Sequence, residues 1–279
     1  MQSRYINSKN LGFMQGRLVN SPYNKIQCFP DKEWKKELLL ANQNNFKLME
    51  WTVNNANLKK NPIISKKKIY QIKKLTNKYN IKINSLTCDY FMEMPFFKKK
   101  TKYKKKIINN LKNIISNSQK LNIKFIVIPL VDQSSIKNII EEKTVISFFD
   151  EILKNKYKKI KILFESDYKP KKLLNFIKRF KSKNVGINYD SGNSSSLGYN
   201  FESEKIYFKY IKNFHIKDRI LHGKTVRLGN GNAKLKKILQ FFKKKNYKGN
   251  FILQTARCKN NQHISELNIN RDYLNNLKI

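Results

Sequence analysis

Eight times along this chain, a short run rich in Ile, Leu, Val and Phe gives way to a longer, Lys-rich segment, and the alternation never breaks. The short runs cover 11–14, 46–51, 81–88, 123–131, 159–165, 185–190, 211–216 and 251–254. A run that is apolar nearly throughout, such as Ile123 to Val131, reads as a strand buried on both faces. The segments between them repeat apolar residues at helical spacing. Trp34, Leu38, Leu39 and Ala41 follow Asp31 as a candidate N-cap, and Ile69, Ile72 and Leu75 mark a helix over 65–79. Further helices are expected up to about 121, over 136–157, 171–180, 202–209 and 233–245, and from about 265. Strands alternating with helices predict a parallel sheet, and eight units predict one (β/α)8 TIM barrel domain over residues 1–279. No GxGxxG follows the first strand, which argues against an open doubly wound sheet.

A parallel barrel gathers the C-terminal ends of its strands on one face, where chemistry is placed. Four consecutive runs end there in ligand-type side chains: Glu165, Asp190, His215 and Gln254. Two carboxylates, an imidazole and an amide oxygen can surround one divalent metal ion. Mn²⁺ or Mg²⁺ suits this mix best, and Co²⁺ or Zn²⁺ is compatible with it. Basic groups follow the strands on the same face: Arg17 after the first, Lys217 and Arg219 after the seventh, and Arg257 after the eighth. Arginine suits bidentate binding of carboxylate or phosphate, so a small anionic or polyhydroxy substrate is expected. The competing reading is loop salt bridges, for instance to Asp218. Glu50 after the second run, and Asp89 and Glu93 after the third, are further carboxylates near the site. A hydrogen-bonding or capping role is the alternative for each. Trp51, Tyr90, Phe91 and Phe96 are placed either to wall the pocket or to pack behind it, and His222 and His263 are read as surface residues.

The net charge is +40, from 59 Lys and Arg against 19 Asp and Glu. Charge of this size adheres to polyanions. The lysines are spread over nearly every helix, however, and Lys, Asn and Ile together mark an A/T-rich genome. No nucleic-acid-binding signature accompanies them, so no specific nucleic-acid partner is expected. No apolar run reaches about 18 residues, which gives no expectation of a membrane helix. The polar start MQSRYINSKN lacks the apolar segment of a signal peptide, and Cys28, Cys88 and Cys258 form no pairing pattern. A cytoplasmic location is expected, and a homo-oligomer is compatible with everything above.

The stretches GFMQGRL (12–18), IQCFPDKEW (26–34), KLMEW (47–51), CDYFMEMPF (88–96), LFES (163–166), NYDSGNSSSLGYN (188–200), FHIKDR (214–219), LGNGNA (228–233) and ILQTAR (252–257) resemble, in order and spacing, the sugar phosphate isomerase/epimerase family of xylose-isomerase-like TIM barrels. The resemblance spans nearly the whole chain. It implies one divalent metal held by the ends of strands five to eight, here Glu165, Asp190, His215 and position 254. It also implies proton transfer at a carbon beside a carbonyl, with Glu165 as the base. The family's fourth ligand is Glu, and this chain has Gln254, which cannot serve as a second base. One-base aldose–ketose isomerisation or a dehydration stays open, as does a metal-free, non-catalytic barrel that binds a sugar or a protein partner. An endonuclease IV-like enzyme would need many histidine ligands, and the chain has three histidines.

Overall fold

Side-chain alternation decides the architecture. In a strand, successive residues face opposite sides, and in this chain both sides must be filled. The computed structural model describes residues 5–22, 25–155, 157, 159–258 and 262–279. Its barrel strands are β1 (Leu11–Met14), β2 (Leu48–Val53), β3 (Lys82–Cys88), β4 (Phe125–Leu130), β5 (Lys161–Ser166), β6 (Val185–Asp190), β7 (Ile211–Ile216) and β8 (Asn250–Leu253). All pair in parallel in the order β1-β8-β7-β6-β5-β4-β3-β2, and β1 against β2 closes the barrel. The predicted (β/α)8 barrel is therefore what forms. The first four residues of the polar N-terminal stretch, and position 156 inside the expected fourth helix, lie outside the described residues.

One face of each strand packs under the helices. Phe13, Trp51, Leu86, Ile126, Phe164, Tyr189, Phe214 and Phe251 belong to the large outer core, together with Leu38, Ile72, Ile114, Phe149, Phe176, Leu239 and Leu274 from the helices. The other face fills the barrel. Met14, Leu48 and Ile252 form a small separate apolar cluster there. Above it the interior turns polar, with Glu50, Thr87, Asn188, Asn213 and His215 all buried. Buried polar groups are tolerated only when bonded to one another, so this layer is a network rather than a filling.

Several elements differ from the sequence expectation. Strand β2 starts at Leu48 and runs to Val53, later at both ends than expected. Glu50 is therefore mid-strand and fully buried rather than at the exit. Asp31 does not cap that helix; it forms an ion pair with Lys60 at 2.7 Å. The stretch 89–98 contains a one-turn helix, Asp89–Glu93, and a 3₁₀ turn, Phe96–Lys98. Ser191–Ser196 is helical although Ser, Gly and Asn are weak helix formers. Asp190 supplies the missing stability by capping it, accepting from the Asn193 amide at 2.7 Å. Among the described residues, no helix is long and apolar enough to cross a membrane.

Candidate metal centre and active site

Strands β5, β6 and β7 end with Glu165, Asp190 and His215 facing inward. Asp190 pairs in register with His215, and Glu165 lies on the next strand. One ligand-type atom from each lies within 4.8 Å of the other two, and all three residues are buried. Atoms opposite each other on one ion stand about 4.2 Å apart, twice a bond of about 2.1 Å. The triad is near enough to hold a divalent cation once its three ligand atoms draw together. Gln254 sits on the same inner side, two positions beyond Ile252, which is level with His215 on the neighbouring strand. Its Nε2 donates to Gln27 Oε1 at 2.8 Å, while its Oε1 is buried with no hydrogen-bond partner. A buried carbonyl oxygen without a donor is costly, and a cation is one group that would satisfy it. The residues present fit a metal ion.

Each ligand candidate is held by its neighbours. Glu165 accepts from Asn188 Nδ2 at Oε2 and from Asn193 Nδ2 at Oε1, both at 2.7 Å. Asp190 turns Oδ1 to its helix cap and Oδ2 toward Lys217 Nζ at 3.4 Å. His215 donates from Nε2 to Glu50 Oε1 at 2.6 Å. Its Nδ1 faces an acceptor, Glu165 Oε2 at 3.2 Å, and a donor, Asn188 Nδ2 at 2.9 Å. Nδ1 is thus the nitrogen at which a proton and a cation would exchange.

The electrostatics follow from burial with compensation. Burial alone would keep His215 neutral, but Glu50 and Glu165 on either side outweigh it and push the ring up to about 10. Burial would likewise raise Glu50 and Glu165; His215 overcomes this and carries both below the usual carboxylate range. Asp190 stays raised, since burial and the Glu165 charge exceed the help from Lys217. Burial lifts Asp89 to about 7, against a 2.6 Å hydrogen bond from Gln27 Nε2. Gln27 therefore bridges Asp89 and Gln254.

The cationic candidates separate into two groups. Lys217 and Arg219 both donate to Asn193 Oδ1, at 3.2 and 2.9 Å, and so flank the triad. Lys217 crosses directly over Gly192, where a Cβ would come within 2.5 Å of its Cγ. Arg17 and Arg257 instead brace the exits of β1 and β8. Arg17 Nε donates to the Thr255 carbonyl at 3.0 Å, and Arg257 donates to the Gly16 and Val19 carbonyls. Glu93 ties loops together, accepting from Lys25 at 3.0 Å and from the Asn55 amide. The glycine-rich turn 228–233 wraps around Asp218, whose carboxylate accepts from the Gly229, Gly231 and Ala233 amides at 2.9–3.0 Å.

Trp51, Phe91 and Phe96 point away from the pocket. Trp51 packs on Phe29 and Trp34, and the two phenylalanines pack on Phe149 and Phe148. His222 is exposed as expected, but His263 is buried beside Asn20 Oδ1 at 2.8 Å. Sequence reading passed over Asn188, Asn193, Asn213 and Gln27. The available signal was period two: Asn188 and Asn213 each stand two residues before a ligand candidate on the same strand face.

Comparison with known proteins agrees with the barrel fold. No curated protein matches the sequence. A xylose isomerase domain protein from Planctomyces limnophilus superimposes with TM-score 0.74 at 14% identity, over 96% of each chain. The IOLI protein, solved with a binding zinc atom, gives TM-score 0.73 at 17% identity over 96% of this chain and 98% of that one. D-psicose 3-epimerase from Clostridium cellulolyticum H10, solved with D-tagatose, gives TM-score 0.72 at 12% identity over 96% and 99%. At these identities the likeness is one of fold. The family model described as xylose isomerase-like TIM barrel matches residues 38–273, nearly the whole barrel, and the chain belongs to that family.

Proposed function

We propose that the protein is a divalent-metal-dependent isomerase or epimerase of a small sugar, sugar phosphate or sugar acid. It moves a proton at a carbon next to a carbonyl. The observation that carries this reading is the buried Glu165–Asp190–His215 triad at the barrel mouth. Glu165, Asp190 and His215, with Gln254 Oε1, would hold the metal; Mn²⁺ or Mg²⁺ is favoured for a set dominated by oxygen. When bound, it would polarise the carbonyl and stabilise the enediolate oxygen. Glu165 acts as the base, and Asn188 and Asn193 fix the plane of its carboxylate. Lys217 and Arg219, drawn to the mouth by Asn193, meet the anionic part of the substrate. Arg17, Arg257 and Glu93 order the loops that frame it.

Gln254 cannot take a proton, so the chemistry runs on one face. That favours aldose–ketose isomerisation, where one base removes and returns the proton, over epimerisation by two opposed bases. We place the enzyme in the cytoplasm, without a membrane or specific nucleic-acid partner. The second reading, a barrel that binds a sugar without turnover, draws on the same Gln254. Proton NMR in D₂O separates them. Metal-loaded protein incubated with ketoses, aldoses, their phosphates and sugar acids should wash deuterium into one carbon-bound position of a substrate. No exchange with any of these classes, in protein shown to carry metal, would leave the binding reading standing.

A further inference from the structure

The carboxylate of Glu50 belongs to none of the roles above. It is 0% exposed and lies mid-strand on β2, below the strand ends. Both its oxygens are taken. Oε1 accepts from Thr87 Oγ1 at 2.5 Å and from His215 Nε2 at 2.6 Å, and Oε2 accepts from Asn213 Nδ2 at 2.8 Å. We propose that Glu50, acting directly and through Asn213 and Asn188, is a positioning residue that pins the His215 proton on Nε2 and leaves Nδ1 as the nitrogen that meets the metal. This rests on the reading of Glu165, Asp190 and His215 as metal ligands.

The reasoning is one of donor and acceptor direction. An ionised carboxylate only accepts, so every group touching Glu50 must donate. That fixes a hydrogen on His215 Nε2 and turns the Asn213 NH₂ toward Glu50. The same NH₂ also donates to Asn188 Oδ1 at 2.8 Å. Asn188 must then present its own NH₂ on the far side, where it meets Glu165 Oε2 at 2.7 Å and His215 Nδ1 at 2.9 Å. The ring route fixes the proton on Nε2, and the amide route sets the Asn188 NH₂ beside Nδ1, the nitrogen that gives up its proton when the metal binds. Nε2 is the fixed donor and Nδ1 the open position. A ligating histidine typically donates its other ring N–H to a carboxylate in this way.

The relay has only one consistent direction. Turning Asn213 over would set its oxygen against two acceptors, Glu50 Oε2 and Asn188 Oδ1. In the observed direction Asn213 Oδ1 is buried without a partner, which is the smaller cost. The strand register supports the same design. Asn188 pairs with Asn213 directly beneath the Asp190–His215 pair, so the amides form a shelf under the ligands. Glu50 reaches this shelf from β2, which is not adjacent to β6 or β7 in the barrel.

The test uses ¹⁵N-histidine-labelled protein. The chain has three histidines, so the ring signals are few. In the parent, His215 should carry a proton on Nε2 both without metal and with Zn²⁺, and Zn²⁺ should leave Nδ1 bare. In Glu50→Gln, the new NH₂ must face either Asn213 or the His215–Thr87 pair, and the relay breaks in both cases. The His215 signals should shift, and Zn²⁺ affinity should fall about 10- to 100-fold. Asn213→Ser, which shortens the relay without adding charge, should weaken Zn²⁺ in the same direction. A parent His215 with a bare Nε2 would overturn the proposal, and so would parental Zn²⁺ affinity with parental ring signals in Glu50→Gln. Should Glu50→Gln not fold, the parental ring signals decide alone. If the parent binds no Zn²⁺, the metal reading fails; the relay is then judged on the metal-free ring signals of parent and variants.

Discussion

Metal binding should release a proton from His215, and its size follows from the geometry. The ring lies between Glu50 at 2.6 Å and Glu165 at 3.2 Å, with no exposed surface. Those two carboxylates push it up to about 10, so near pH 7 the metal-free ring is charged. Nδ1 must give up its proton before it can bind a cation. The sign is therefore fixed: affinity rises with pH and falls as pH falls. The three units between pH 7 and about 10 correspond to a competition of about 4 kcal/mol, at about 1.4 kcal/mol per unit. Apparent affinity should climb close to tenfold per pH unit from about 6.5 to 8.5. Calorimetric titration with Mn²⁺ in buffers of different ionisation enthalpy reads the proton number directly. About one proton per ion is expected, from His215. Zero protons released, with affinity flat across that window, would refute the electrostatic account of the triad.

Three further outcomes are expected. Glu165→Gln should lower turnover by about 10²- to 10⁴-fold, the usual contribution of a general base; its new NH₂ also meets a donor on either side, since Asn188 and Asn193 both donate there. Parental turnover would remove Glu165 as the base. Gln254→Glu should tighten Mn²⁺ binding while lowering the melting temperature of the metal-free protein. It replaces the Nε2 donor and faces Gln27 Oε1 with an acceptor; unchanged affinity would mean that position 254 does not reach the ion. Asp218→Ala removes a buried acceptor from three amides, and should cost about 3 kcal/mol, or roughly 6–12 °C in melting temperature. A loss below a degree or two would show that the turn orders itself.

The barrel was legible because each strand carries a near-continuous apolar run, and because helical spacing recurs between runs. The triad was legible because Glu165, Asp190 and His215 end such runs. The supporting network was not. Glu50 and His215 are 165 positions apart and meet across the barrel interior, and no local pattern encodes that contact. Asn188 and Asn213 read as ordinary polar residues until the register sets them side by side. A two-residue displacement of β2 also changed the reading of Glu50, from an exit residue to a buried one. The same alternation turned Trp51 outward, so that it packs under helix Trp34–Gln43 instead of walling the pocket. The arginines mislead for a different reason. Arg17, Arg219 and Arg257 all stand at strand exits, but Arg17 and Arg257 bond to loop carbonyls while Arg219 also reaches Asn193. Position along the chain does not reveal which backbone lies within a long side chain's reach.

The central claim is that Glu165, Asp190 and His215 form a metal site. The measurement that addresses it most directly is elemental analysis of the purified protein after chelation and re-addition of Mn²⁺, Mg²⁺, Co²⁺ or Zn²⁺, in the parent and in His215→Ala. The account predicts near one ion per parent chain and a loss of most of it in the variant. An equal metal content in both, or none in the parent with any of the four ions, would contradict it.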